Sequence, residues 1–193
     1  LWWIGACALA AAVGLSTFWL PAPLPADAPL TSFSAMRALA HVQAIAQTPH
    51  PVGSPENARV REYVKARMAD LDLNPREICE ERKGSQVVSL YGELAGTASN
   101  AAPILLVTHH DSTSRGPGAA DAASGVATVL ETVRALKARG TLRNTLGILI
   151  TDGEEAGLLG AQAFVRDEVG LLRDVRLVIN LEARGNHGPV LMF

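Results

Sequence analysis

Three short, largely apolar runs constrain this chain more than any other feature. They are residues 103–107 (PILLV), 146–150 (LGILI) and 175–179 (VRLVI). Such runs read as strands covered on both faces, which is the habit of parallel sheets. Between the first two, Val126, Val129, Leu130, Val133 and Leu136 recur at helical spacing and stop at Arg139-Gly140, a helix ending. A further helix is expected over 158–167. Strands that alternate with helices predict an α/β fold, with a central, largely parallel (mixed) sheet flanked by helices.

Each of the three runs ends in residues a core does not need. The first enters Thr108-His109-His110-Asp111-Ser112. The second enters Thr151-Asp152-Gly153-Glu154-Glu155, and the third Asn180-Leu181-Glu182-Ala183-Arg184. A fourth acidic group, Asp121, lies just before the long helix. Open α/β sheets bind ligands beyond the carboxyl ends of their strands, so these groups should meet at one edge. Carboxylates gathered there repel one another, and burial worsens this. Divalent cations neutralise such a cluster, and a mixed imidazole–carboxylate set suits zinc, with manganese or cobalt as alternatives.

Singly, each motif has an ordinary explanation. Asp121 would cap a helix, Glu154-Glu155 would favour a helix start, and Glu182 would pair with Arg184. The order strand-His-x-Asp, Asp before a helix, strand-Glu-Glu, strand-Glu is hard to explain without metal. An adjacent acidic pair lets one carboxylate bind metal while its neighbour handles a proton. Asp111, two residues after His109, could orient the imidazole.

The rest of the chain sets the frame. Residues 1–20 carry no charge and have Trp2, Trp3 and Trp19 near their ends; they read as one transmembrane helix. A cleaved signal peptide is the alternative, with a less suitable length and no good cleavage site. Residues 21–30 (PAPLPADAPL) read as an extended, proline-rich linker, and 31–193 as the folded domain. Ser34 is expected to cap a helix to about Gln47, and Ser54-Pro55 to open another. Strands are expected near 76–82 and 86–92. The chain has 193 residues, 48% hydrophobic and a net charge of -2, enough for one core. No basic run points to nucleic acid. The two cysteines, Cys7 and Cys79, make a disulfide framework improbable.

The pattern over 33–193 resembles the dinuclear zinc aminopeptidases, relatives of bacterial leucyl aminopeptidase, glutaminyl cyclase and glutamate carboxypeptidase. It is most similar to the vacuolar membrane protease and endoplasmic reticulum metallopeptidase branch. The resemblance implies a zinc-peptidase-like three-layer sandwich and two Zn2+ per complete site. It implies that Asp121 bridges the metals, that His109 and Glu182 complete one site, and that Glu155 belongs to the other. Glu154 would be the general base and Asp111 would orient His109. It further implies a membrane-anchored metallo-exopeptidase, an aminopeptidase acting on peptides near a free amino terminus. Its peptidase domain would face the extracytoplasmic or lumenal side.

Two features depart from the family pattern. Ala120 and Ala122 replace acidic residues often seen beside the bridging aspartate. The second site's histidine is absent and is expected beyond Phe193, since both ends of the chain look cut. His41, His50 and His187 match no ligand position and read as structural or surface residues. Two rival readings remain: another hydrolase or a glutaminyl cyclase on the same scaffold, and a non-catalytic membrane module built on a dead peptidase domain.

Overall fold

The computed structural model describes residues 2–16, 22–82 and 84–183. After an N-terminal helix α1 (Trp2–Ser16) come α2 (Ala35–Ile45), α3 (Pro55–Asp70), β1 (Arg76–Arg82), β2 (Ser85–Leu94) and β3 (Ile104–His109). Then follow α4 (Ser124–Arg139), β4 (Leu146–Thr151), α5 (Leu159–Asp167), α6 (Val169–Asp174) and β5 (Leu177–Asn180). The expected N-caps are found. Ser34 Oγ accepts from Arg37 N at 3.2 Å and Ser54 Oγ from Asn57 N at 3.1 Å, satisfying amides that the first helical turn leaves without partners.

The five strands form one mixed sheet in the order β1-β2-β4-β3-β5. The three strands read as parallel are parallel: β3 pairs with β4 and with β5 in that sense. The sheet is less parallel than expected, because β1 and β2 form an antiparallel hairpin and β2 runs antiparallel to β4. Helices cover both faces. On one side Val60, Val64, Met68, Val126, Val129, Leu130 and Val133 pack with Leu90, Ile148 and Ile150 of the sheet. On the other, Phe164, Leu171 and Leu172 pack with Tyr91, Leu105 and Leu149. These are the three layers anticipated.

Register decides where the chemistry goes. His109 stands opposite Thr151, and Val107 opposite Asn180. The segments that follow β3, β4 and β5 therefore leave the sheet at one edge. β5 departs from expectation in one respect. Its run was read as covered on both faces, yet Leu177, Val178 and Ile179 are exposed, because β5 is an edge strand with β3 as its one neighbour among the described residues.

The transmembrane helix expected over 1–20 falls only partly on described residues, since 1 and 17–20 lie outside them. Helix α1 has 15 residues and rises about 22 Å, short of the roughly 30 Å hydrocarbon core. Among the described residues no helix is long and apolar enough to cross a membrane. Trp19 lies outside the described residues.

The proline-rich segment, read as extended, makes two turns and lies against the domain. Ala28 N donates to Pro25 O at 3.2 Å and Ser32 N to Pro29 O at 2.9 Å. A buried carboxylate, Glu131 of α4, organises the contact. It accepts from Ser34 N at 2.8 Å, Arg37 Nε at 3.0 Å and Arg134 Nε at 2.6 Å. The oriented guanidinium groups then hold the strap. Arg37 donates to Ala26 O at 2.6 Å and Ser32 O at 2.8 Å, and Arg134 donates to Leu30 O at 2.7 Å. Arg139 Nε adds a bond to Thr31 O at 2.6 Å.

Candidate active site

His109 ends β3 with its ring buried. Nδ1 faces Asp111, with the backbone carbonyl at 3.0 Å and Oδ1 at 3.3 Å. A proton on Nδ1 satisfies that side and leaves Nε2 as the outward donor atom. Nε2 lies 3.0 Å from Asp121 Oδ1, 3.6 Å from Glu182 Oε1 and 3.9 Å from Glu154 Oε2. Among the described residues, His109, Asp121 and Glu182 form a group whose ligand atoms lie within 4.8 Å of one another. Two atoms about 2.0 Å from a tetrahedral ion stand roughly 3.3 Å apart, and the His109 distances to Asp121 and Glu182 bracket that value. The donor set of one imidazole and two carboxylates thus fits a zinc-sized ion.

Backbone geometry brings Asp121 to the histidine. The chain turns at Gly118 with φ of 66°, a conformation that favours glycine. A Cβ there would stand 2.6 Å from Asp121 O and 2.8 Å from Ser112 Cβ. Gly125 serves similarly in the first turn of α4, where a Cβ would meet Thr108 Oγ1 at 2.4 Å. The missing side chain lets α4 close onto the end of β3.

Asp111 does more than face the histidine. Its carboxylate accepts from Glu154 N at 3.0 Å and Glu155 N at 3.2 Å. One buried side chain therefore both orients His109 and holds the turn that carries the acidic pair. The carboxyl of Glu155 does not join the three-residue group. Burial, followed by the charge of Asp121, raises its pKa above the ordinary glutamate value.

The electrostatics describe a cluster short of positive charge. Burial by itself would lower the His109 pKa, but Asp111, Glu182 and Glu154 reverse this and push it to about 9. Burial also raises Glu154; His109 opposes this, and the charges of Glu182, Asp111 and Asp121 reinforce it. For Asp111, burial is opposed by bonds to His109 and to the Glu154 amide, which hold it below the usual carboxylate range.

The sequence reading left one carboxylate without a role. Asp152 is fully buried and accepts from Asn57 Nδ2, Val88 N and Gly153 N, each at 2.9 Å. It ties α3 and β2 to the turn that launches Glu154. The one available signal was its place before Gly153, which has φ of 66°; its partners are 64 and 95 residues away in sequence. His110 joins this network through Nε2, 3.1 Å from Val88 O. His50 is buried, and its amide donates to Ser112 Oγ at 2.9 Å, while His41 Nδ1 meets Tyr63 Oη at 2.7 Å. Neither belongs to the His109–Asp121–Glu182 group. Glu182 Oε1 accepts from Ala183 N at 2.9 Å. Arg184 and His187 lie outside the described residues.

The chain is 30% identical over 189 residues to a vacuolar membrane protease of Schizosaccharomyces pombe, covering 89% of this chain and 22% of that protein. It is 31% identical over 159 residues to the vacuolar membrane protease of Candida albicans, covering 79% and 19%. The chain thus spans about a fifth of these curated relatives. Glutaminyl cyclase of Porphyromonas gingivalis shares the fold with TM-score 0.68 and 23% identity, over 78% of this chain and 59% of that one. A leucine aminopeptidase precursor of Bacteroides thetaiotaomicron does so with TM-score 0.65 and 18% identity, over 80% and 64%. The family model described as Peptidase family M28 matches residues 89–193, which run from within β2 through every residue of the acidic cluster. This chain belongs to peptidase family M28.

Proposed function

We propose that this chain carries the N-terminal part of a zinc-dependent exopeptidase that cleaves peptides near a free amino terminus, anchored in a membrane through residues 1–20. The observation that supports this best is the meeting of His109 Nε2 with the Asp121 and Glu182 carboxylates at 3.0 and 3.6 Å. His109, Asp121 and Glu182 would hold one Zn2+. Asp121 would be shared with a second, to which Glu155 contributes. Bound zinc supplies Lewis acidity, polarising the scissile carbonyl and making water more acidic.

The chain's own groups do the proton work. Glu154 takes a proton from the attacking water and returns it to the leaving amine. In the metal-free protein burial raises its pKa, a direction that suits a carboxylate asked both to take and to return a proton. Asp111 holds the imidazole of His109 through Nδ1 and the Glu154 turn through its amide, so base and ligand keep a fixed relation. The relatives named as membrane proteases and the uncharged stretch 1–20 support a membrane location. The domain would face the extracytoplasmic or lumenal side.

The test is a panel offered to the full-length protein: aminoacyl anilides, peptides with amino-terminal glutamine, and amino-terminally blocked peptides. Release of the aniline from substrates with free amino termini, lost with chelation, is expected. Cyclisation of glutaminyl peptides without aniline release would replace the aminopeptidase reading by a cyclase. Absence of near-stoichiometric zinc, manganese or cobalt in active protein would overturn both metal readings.

A further inference from the structure

The outer side of α2 carries no charge. Met36, Leu39, Ala40 and Gln43 are its exposed positions, spaced as one helical face. The basic residue of the helix, Arg37, is turned into the Glu131 cluster. Phe33 stands one turn before Met36. Leu24 adjoins them, because its carbonyl accepts from Met36 N at 3.3 Å and Ser34 Oγ at 3.1 Å. Leu30 follows on the strap. Leu24, Leu30, Phe33, Met36 and Leu39 are 37–66% exposed, with no acidic or basic side chain among the five. A single exposed apolar residue is ordinary, whereas a grouping of large ones marks a contact surface.

Two observations say what covers it. Leu24 follows Ser16, the last residue of α1, by eight positions. An extended chain gains at most about 3.5 Å per residue, so Leu24 stands within roughly 28 Å of the end of α1. Any surface that takes up the uncharged N-terminal stretch is therefore within reach of this rim. The rim is also held in place, because Arg37, Arg134 and Arg139 bind the strap carbonyls from Ala26 to Ser32. A floppy linker would let apolar residues fold back or scatter, and here the strap holds them exposed.

We propose that Leu24, Leu30, Phe33, Met36 and Leu39 form an apolar rim that rests in the headgroup–acyl boundary of a lipid bilayer. It is a second membrane contact beside residues 1–20 and fixes the orientation of the peptidase domain. The proposal rests on the membrane reading given above. Contact of this kind is driven by buried apolar area, so it resists salt.

The test uses the full chain in phosphatidylcholine vesicles that contain nitroxide-labelled lipid. In a Cys7→Ser/Cys79→Ser background, one environment-sensitive fluorophore is attached at Met36→Cys, at Leu39→Cys or at the control Gln162→Cys, on the helix layer across the sheet. Quenching at 36 and 39 should exceed that at 162 by roughly threefold and survive high salt, as expected for apolar insertion. The two rim labels report independently, so a folding defect in one leaves the other to decide. Equal quenching at all three positions in protein that floats with the vesicles would leave the anchor intact and overturn the rim. Protein that fails to float would overturn the membrane reading and the rim together. Disulfide-linked pairs of unlabelled Met36→Cys chains under oxidation, with no quenching of the labelled ones, would assign the face to a second copy and overturn the lipid contact.

Discussion

Helix α4 lies between two acidic centres that are solved in different ways. In its middle, Glu131 is buried and met by Arg37, Arg134 and the Ser34 amide. At its start, Asp121, Asp111, Glu154 and Glu182 surround His109, the basic side chain that meets them among the described residues. Burial pushes both groups of carboxylates toward the neutral form. At Glu131 that tendency is overcome by Arg134, the Ser34 amide and Arg37, and the pKa falls. At Glu154 and Glu155 it is not, and both rise. A centre completed by its own chain is architecture. A centre left with excess negative charge and an outward imidazole nitrogen is arranged for a cation from outside.

The largest effect should come from the proton carrier. Glu154→Gln keeps the shape of the site and the backbone hydrogen bond to Asp111 while removing the proposed base. Turnover by the full-length protein should fall about 10²- to 10⁴-fold, roughly 3–5 kcal/mol of barrier. Zinc content by mass spectrometry should be unchanged. Full activity in a zinc-loaded Glu154→Gln enzyme would remove the residue from the mechanism.

Next is the response to metal itself. Zinc that binds the folded state alone adds about 3 kcal/mol when its free concentration exceeds Kd a hundredfold. Thermal unfolding of chelated and zinc-supplied protein measures this directly. His109→Ala should lose most of the difference. Glu131→Gln should retain it, because that centre needs no ion. If both variants responded alike, the contrast between the two centres would collapse.

The two centres also differ in how much of them could be read from sequence. The acidic edge was legible because each group follows an apolar strand, and parallel strands deliver their carboxyl ends to one place. His109, Asp121 and Glu182 duly converge. Legibility failed where partners are distant in sequence and carry no pattern. Arg37 and Glu131 are 94 residues apart, and nothing in a proline-rich stretch announces that guanidinium groups will hold its carbonyls. Asp152 was hidden for the same reason, since its donors come from α3 and β2. The exposure of β5 was misread because an apolar run reports what a strand can bury, and not which neighbours it has. Helix α6 is six residues long, too short to leave a periodic signal.

A third prediction concerns stability. Glu131→Gln leaves two guanidinium groups with neutral partners beside the strap. Removing one member of a buried pair is strongly destabilising, less so where the remaining charges reach water. Arg37 and Arg134 are partly open, so a loss of about 2 kcal/mol is expected, read from denaturant midpoints at neutral pH. Its pH dependence has a definite sign. The folded pKa of Glu131 is lowered, so its contribution is complete above the ordinary glutamate value of about 4.3. It fades as pH falls through the lower folded value. The wild type and Glu131→Gln should therefore converge on acidification.

The smallest effect is the sharpest test, because the two centres predict opposite signs. In chelated protein the pKa of Glu155 is raised by burial and by Asp121. Its charged form is therefore less comfortable folded than unfolded. That penalty is present above its folded pKa and vanishes below its unfolded value. Glu155→Gln should stabilise the metal-free protein at neutral pH by about half a kcal/mol, a figure kept small because the side chain is exposed and screened. The gain should disappear near pH 4, where the wild-type residue is itself protonated. Adding zinc should reverse the order, since the wild-type carboxylate then has a cation to meet. Destabilisation of the chelated protein by Glu155→Gln, in the manner of Glu131→Gln, would mean that the edge cluster is already satisfied from within, and the case for a missing cation would fail with it.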